Sequence, residues 1–463
     1  MVKFTLIGAA LLALVAAPAL AQTAEPIPAR YQPRPYVELT NPEWSRDAVI
    51  YQINTRQFTS EGTFRSAMAE LPRLKALGVD ILWLMPIHPI GAENRKGTLG
   101  SPYAVRDYFD VNPEFGTKAD FKAFVDAAHA QGFHVILDWV ANHSAWDNPL
   151  RTEHPEYYVR TWNGNFRPTL WLDWSDIIDF DYEQAGLRQY MTSALTYWVR
   201  EFGVDGYRAD VAGMVPTDFW DNARAELEAI KPVFMLAEWQ YPELHRRAFD
   251  ASYAWDWHNA MHQIGTGKAD VGALFGYYSS DDAAWPHGAM RMLFTSNHDK
   301  NSWEGNEYEL FGPALDNVTV LTFIADGIPL IYNGQEAGNA RRLQFFEKDP
   351  IVWPAVEHAN AAEYRRLIAF RDANPALHNG RWGAEMVPVV NTAHPRVFSF
   401  VREKDGNKIF GIFNFSGEAQ EVGFTDGPYA GSYSDYRDGS AVSVAADTRL
   451  AVPAWGHRVL VGR

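Results

Sequence analysis

The chain has no cysteine among its 463 residues, so it can hold neither a disulfide nor a cysteine-linked lipid. A disulfide scaffold is thereby excluded. Positive charge is also in short supply: 41 Lys and Arg stand against 57 Asp and Glu, a formal net charge of −16. Phosphate backbones are held by clustered Lys and Arg, so no nucleic acid is expected as a partner. Beyond residue 21 no apolar run reaches the ~18 residues that cross a bilayer, and no membrane insertion is expected of the mature chain. No internal repeat is visible.

Aromatic residues are plentiful, with 17 Trp, 21 Tyr and 27 Phe. Most such rings belong to a core, but some act as flat platforms for ligands, sugars among them. Residues 1–21 read as an export signal: Lys3, an apolar stretch from Phe4 to Ala17, and Ala19-Leu20-Ala21 as a small-x-small cleavage site. The mature chain is then expected to begin at Gln22, with a charge of −17 once Lys3 is lost, and to reside in the periplasm or outside the cell. Oligomeric state is not legible. The length suggests two or three domains.

Residues 22–45, with Pro26, Pro28, Pro33, Pro35 and Pro42, read as an N-terminal arm. From 46 to 379 strand and helix patterns alternate. Val49 to Ile53 is a first strand, Phe64 to Leu77 has helical spacing, and Val79 to Ile87 is apolar enough for a strand buried on both faces. Further strands are predicted at 134–138, 204–208, 233–237, Tyr253 to Trp257, 291–296 and Ile328 to Tyr332, with helices at about 118–131, 184–202, 217–231, 313–325 and 359–374. Eight strands alternating with helices predict an α/β fold, a (β/α)8 barrel. Residues 145–180 lack any period and read as an insertion after the third strand. Beyond 379 short strands take over, so 380–463 is predicted to be a C-terminal antiparallel β-sandwich domain.

In such barrels chemistry sits at the C-terminal ends of the strands. Asp138, Arg208, Asp210, Glu238, His298 and Asp299 all fall at such ends. A lone acid after a strand reads as a cap or turn residue. Four acids after four strands are harder to explain so, because gathering like charges opposes folding and calls for a use. Arg208 and Asp210 share a strand face, since residues i and i+2 point the same way. Paired carboxylates without a metal motif suit glycoside chemistry, one acid protonating the leaving oxygen and the other attacking the sugar carbon. Beside Arg208, Asp210 is expected to stay ionised, while Glu238, between Ala237 and Trp239, is expected to have a raised pKa and donate the proton.

Asp138-Trp-Val-Ala-Asn142-His143, Gly206-Tyr-Arg208-Ala-Asp210, Ala237-Glu238-Trp239 and Ser296-Asn297-His298-Asp299 resemble, in order, the four signature regions of the α-amylase family of glycoside hydrolases. The resemblance spans about 45–375. It implies a retaining hydrolase of α-glucosidic bonds in starch-like glucans or malto-oligosaccharides. In it Asp210 would be the nucleophile, Glu238 the general acid/base and Asp299 a third acid that binds and distorts the sugar. Arg208 would orient the nucleophile, His143 and His298 would hydrogen-bond the sugar, and Tyr103 would stack beneath it. Asp138 and Asn142 would support the site. A transglycosylase or an exo-acting α-glucosidase would use the same residues, and an inactive sugar-binding protein is a remoter alternative.

Three features depart from the family's pattern. Gly213 and Met214 stand where amylases often carry Lys-His, so contacts on the leaving side must differ, with Trp239 a candidate sugar platform. The specificity-marking stretch reads Ile177-Ile178-Asp179-Phe180-Asp181. Calcium, common in the family with the counterpart of Asn142 as a ligand, lacks its acidic loop here, where Phe58-Thr-Ser-Glu-Gly62 stands instead. The chemistry requires no cofactor, and calcium is left open with Asn142 as its one candidate ligand. His258 and His262 have the spacing of a helical metal pair but lack the accompanying Glu, and Gly265-Thr-Gly-Lys268 fails as a phosphate loop.

Overall fold

The computed structural model describes residues 36–462. The export signal read at 1–21, and the arm up to residue 35, lie outside the described residues.

Eight parallel strands close into a barrel: β1 (Ile50–Ile53), β2 (Ile81–Leu84), β3 (His134–Trp139), β6 (Gly206–Ala209), β7 (Phe234–Ala237), β8 (Ala251–Tyr253), β9 (Met290–Phe294) and β10 (Ile328–Tyr332). Around the circle the order is β1-β10-β9-β8-β7-β6-β3-β2, which sets β7 diametrically opposite β1. The strands are buried on both faces, as the apolar runs require. One face fills the barrel interior with Ile50, Trp83, Ile136, Leu236, Met292 and Leu330, and the other packs on the surrounding helices.

Two remaining short strands, β4 (His143–Ala145) and β5 (Ile177–Asp179), pair antiparallel at the base of the insertion, with Ser144 opposite Ile178. The C-terminal part carries two antiparallel sheets. One joins β11 (Val387–Pro388), β13 (Val397–Lys404), β14 (Asn407–Asn414), β19 (His457–Gly462), β16 (Gly431–Asp435) and β17 (Ala441–Val444); the other joins β12 (Val390–Asn391), β15 (Gln420–Asp426) and β18 (Arg449–Val452). Buried Arg402 fastens this part to the barrel by donating to the carbonyls of Ala325 (2.6 Å) and Ile324 (3.2 Å).

Most boundaries shift by a few residues from the sequence prediction, and three differences go further. The helix expected over 64–77 is two helices, Phe64–Ala69 and Leu71–Leu77, because Pro72 lacks the N–H that would continue the first. The strand expected at 253–257 is Ala251–Tyr253, and Trp255 already opens a helix that runs to Gly265. A helix at Gly272–Ala284 had no clear apolar period to announce it. Among the described residues no helix is long and apolar enough to cross a membrane.

Candidate active site

Strand β6 places the central pair. Gly206 is required at its start, because a Cβ there would lie 1.8 Å from the carbonyl oxygen of Phe234. This close approach seats β6 against β7. Ladder bonds continue one residue past the strands, from Asp210 N–H to Trp139 O (2.9 Å) and from Glu238 N–H to Ala209 O (3.0 Å). Both acids therefore leave the mouth from fixed backbone. Val211 then turns into the left-handed region (φ 37°), a rare conformation for a β-branched residue, and its N–H donates to Glu238 Oε2 at 2.7 Å.

Arg208 is fully buried and serves three carboxylates. Its Nη1 lies 2.7 Å from Asp138 Oδ1 and 3.0 Å from Asp210 Oδ1, its Nη2 lies 3.0 Å from Glu238 Oε1, and Nε donates to the Tyr253 hydroxyl at 3.1 Å. One positive charge faces three negative ones in a water-poor pocket. Burial accordingly raises all three acids: Asp138 to about 6, Asp210 to about 7 and Glu238 to about 8, with Arg208 opposing but not cancelling the effect. The expectation that Arg208 holds Asp210 low is thus corrected. The guanidinium is shared, and desolvation outweighs its pull. Glu238 remains the weaker acid of the pair.

A relay of side chains supports this pair from the other side. Gln52 Nε2 lies 2.7 Å from His298 Nδ1, His298 Nε2 lies 2.7 Å from the Tyr103 hydroxyl, and that hydroxyl donates to Asp138 Oδ2 at 2.9 Å. With His298 protonated on Nε2 every one of these contacts is satisfied. Burial lowers His298 to about 4 and His143 to about 3, so both are neutral at pH 7. Trp83 Nε1 gives Asp138 a further bond (3.1 Å).

A cavity of about 410 Å³ opens onto this constellation, a size usual for small-molecule sites. Asp210, Glu238, Asp299, His298, His143 and Tyr103 all line it. Asp299 is the most open of the acids, with Oδ2 3.3 Å from His298 Nε2. Tyr103 lies nearly parallel to His298 (5.5 Å, 17°) and to Phe345 (6.1 Å, 13°). Asp138 and Arg208 stand behind the wall. Trp239 does not line the cavity, contrary to its expected part as a platform. Its indole rests on Gly213, where any Cβ would come within 2.2 Å of the ring. The Gly213 departure and Trp239 are therefore one packing solution.

Sequence reasoning missed Gln52, Trp83, Lys96, Trp303, Phe345 and Phe346. No local pattern marks them, since their relevance comes from loops meeting in space. Of the insertion's tryptophans, Trp174 lines the cavity and lies 5.7 Å from His143, whereas Trp162 and Trp171 are 97% and 98% exposed.

Asn142 does not line the cavity either. Its Nδ2 lies 3.1 Å from His143 Nδ1 and 3.4 Å from Asp179 Oδ1, and Asp179 also accepts from Thr169 and from Arg167 Nη2 (3.2 Å). A divalent cation here would need six to eight oxygens. The nearby acid already faces a guanidinium, so this donor set does not fit calcium. Among the described residues no group of three or more His, Asp or Glu is arranged to hold a metal.

Comparison with known proteins places this geometry. The family model described as "Alpha amylase, catalytic domain" matches residues 45–372. Alpha-amylase MalA of Haloarcula japonica is 28% identical over 446 residues, covering 91% of this chain and 63% of the relative. The chain thus spans less than two thirds of MalA's length. The crystal structure of a noncanonic maltogenic alpha-amylase, AmyB from Thermotoga neapolitana, superposes with a TM-score of 0.82 at 33% identity, covering 90% of this chain and 98% of that one. An alpha-amylase from Lactobacillus plantarum gives 0.80 at 33% identity, with 91% and 100% covered.

Proposed function

The chain belongs to the α-amylase family of glycoside hydrolases, and we propose that it cleaves α-glucosidic bonds in starch-like glucans or malto-oligosaccharides with retention of configuration. The observation that carries this reading is the single guanidinium of Arg208 bridging Asp210 and Glu238, which brings two carboxyl groups side by side at one cavity. Retaining glycosidases need that closeness, because one group must reach the anomeric carbon while the other reaches the leaving oxygen.

Asp210 attacks the anomeric carbon as Glu238 passes its proton to the glycosidic oxygen. The C–O bond breaks, the aglycone leaves as an alcohol, and a glucosyl ester forms on Asp210. Glu238, now a carboxylate, takes a proton from water. The hydroxide oxygen bonds to the anomeric carbon, and Asp210 is released. Asp299 binds the hydroxyls of the distorted ring, and neutral His143 and His298 bond to the same sugar. Tyr103 carries its face.

A sugar hydroxyl in place of water would give transglycosylation by the same residues. The residues around Asn142 argue for chemistry and folding without calcium. The test is a product time course on maltoheptaose, soluble starch, pullulan and cyclodextrin, with the anomeric form of the first product read by NMR. Product of α configuration is expected, and adding a glucosyl acceptor separates hydrolysis from transfer. First product of β configuration, or no cleavage of any of the four, would refute the proposal.

A further inference from the structure

The two sides of the cavity are built unlike each other. Glu238 follows β7, so the aglycone that receives its proton departs over the β7 edge. The glycone, which carries the non-reducing end, is then taken to extend away from that edge, toward β1, the strand diametrically across the barrel from β7.

The β1 edge is walled. Residues 91–100, after β2, cross above β1 and are tied down on both flanks. Toward the insertion, Arg151 makes a two-pronged bond to Glu93 (2.9 and 2.8 Å), and Lys96 donates to the Asp173 carbonyl. Toward the loop after β10, Thr98 N–H donates to Glu347 Oε1 (2.9 Å), its hydroxyl donates to the other oxygen, and Leu99 N–H reaches Phe346 O (3.2 Å).

The end of the segment and the loop after β10 stand on consecutive residues just after β1. Buried Arg56 donates to Gly100 O (3.0 Å), and buried Gln57 donates to the carbonyls of Gln344 (2.9 Å) and Glu347 (2.8 Å). Lys96, Asp173 and Phe346 line the cavity itself, so the fastened segment meets the cavity through Lys96 and its anchors meet it through Asp173 and Phe346. At the β7 edge the cavity side is low instead, because Gly213 has no side chain and Trp239 folds down onto it.

Resting on the glycosidase reading above, we infer that segment 91–100 closes the glycone side, so that the protein works from the non-reducing end of an α-glucan and does not cut within a chain. Thr98 and Glu347 act as specificity determinants, holding the barrier without touching the reacting atoms.

The test compares two substrates, maltoheptaose with a free non-reducing end and the same saccharide blocked there by a 4,6-O-ethylidene group, by chromatography of substrate loss. The free substrate should disappear at least about tenfold faster. Equal rates would overturn the inference and leave the glycosidase reading standing. Loss of neither substrate would sink both. In Thr98→Ala and Glu347→Ala the ratio should fall toward one through faster loss of the blocked saccharide. An unchanged ratio in variants of normal melting temperature would also overturn it. The wild-type comparison needs no variant to fold.

Discussion

Asp205 and Asp210 stand just before and just after β6, at opposite ends of one barrel. Asp205, at the bottom, is bonded by His129 (2.7 Å), Lys231 (2.7 Å) and the Val135 N–H (2.7 Å). Burial pushes its carboxyl up, but the bonds from His129, His134 and Lys231 outweigh that and hold it well below the usual range. Asp210, at the mouth, shares one arginine with two other acids, and burial pushes it up to about 7. The same residue type on the same strand is stabilising at one end and costly at the other. Partners decide this, and the costly end faces the cavity.

The sharpest way to test that contrast is to remove each acid in turn. Asp210→Ala should lower kcat by about 10⁴-fold or more with little change in melting temperature, since the nucleophile has no substitute. Glu238→Gln should lower it by about 10²- to 10⁴-fold, with rescue by substrates whose leaving group needs no proton. Near-normal turnover of either variant on every α-glucoside would undo the assignment.

At the bottom the pattern should reverse. Asp205→Asn should cost about 3 kcal/mol of stability by stranding Lys231 and His129, with kcat per folded molecule unchanged. Denaturant titration beside active-site-normalised rates reads both quantities.

The pH dependence should also split by sign. Asp205 has a depressed folded pKa, so its contribution is present above the unfolded carboxylate value and is lost as pH falls through the folded one. Asp138, Asp210 and Glu238 have raised folded values of about 6, 7 and 8. Their contribution is full below about 4 and is lost as pH rises through 6 to 8. Asp210→Asn should therefore melt a few degrees higher than the parent at pH 8, with the gain shrinking toward pH 5. A gain that grows toward acid pH would contradict the raised values. Activity should rise as Asp210 ionises near 7 and fall as Glu238 deprotonates near 8.

The smallest expected effect is a null one. EDTA should leave melting temperature and rate unchanged, because Arg167 already faces Asp179 beside Asn142. A drop of several degrees, reversed by calcium, would refute that reading.

Much of this was legible in the chain. Strand-like runs ending in Asp138, Asp210, Glu238 and Asp299 pointed to a barrel with acids at its mouth, because period-2 alternation and apolar runs are local properties. His143 and His298 followed strand-like runs and took their roles from the motif resemblance, which also supplied Tyr103, and all three line the cavity. The break at Pro72 could have been predicted from the missing N–H. Two expectations failed for non-local reasons. Asp210 was read as lowered because Arg208 was beside it, whereas the depth of burial and the sharing of that guanidinium with Asp138 and Glu238 were not legible. Trp239 was assigned to the sugar because its packing on Gly213 spans 26 residues of chain.

The sequence alone determined that strands and helices would alternate, that acids would follow four of the strands, and that no disulfide would be needed to hold them. Those features follow from residue spacing and side-chain chemistry, which act over a few positions. Only the tertiary structure decided that one guanidinium is divided among three carboxylates, and that residues 91–100 are laced to the loop after β10 above β1. Desolvation and loop-to-loop hydrogen bonds depend on which distant segments meet, and closing the barrel is what brings them together.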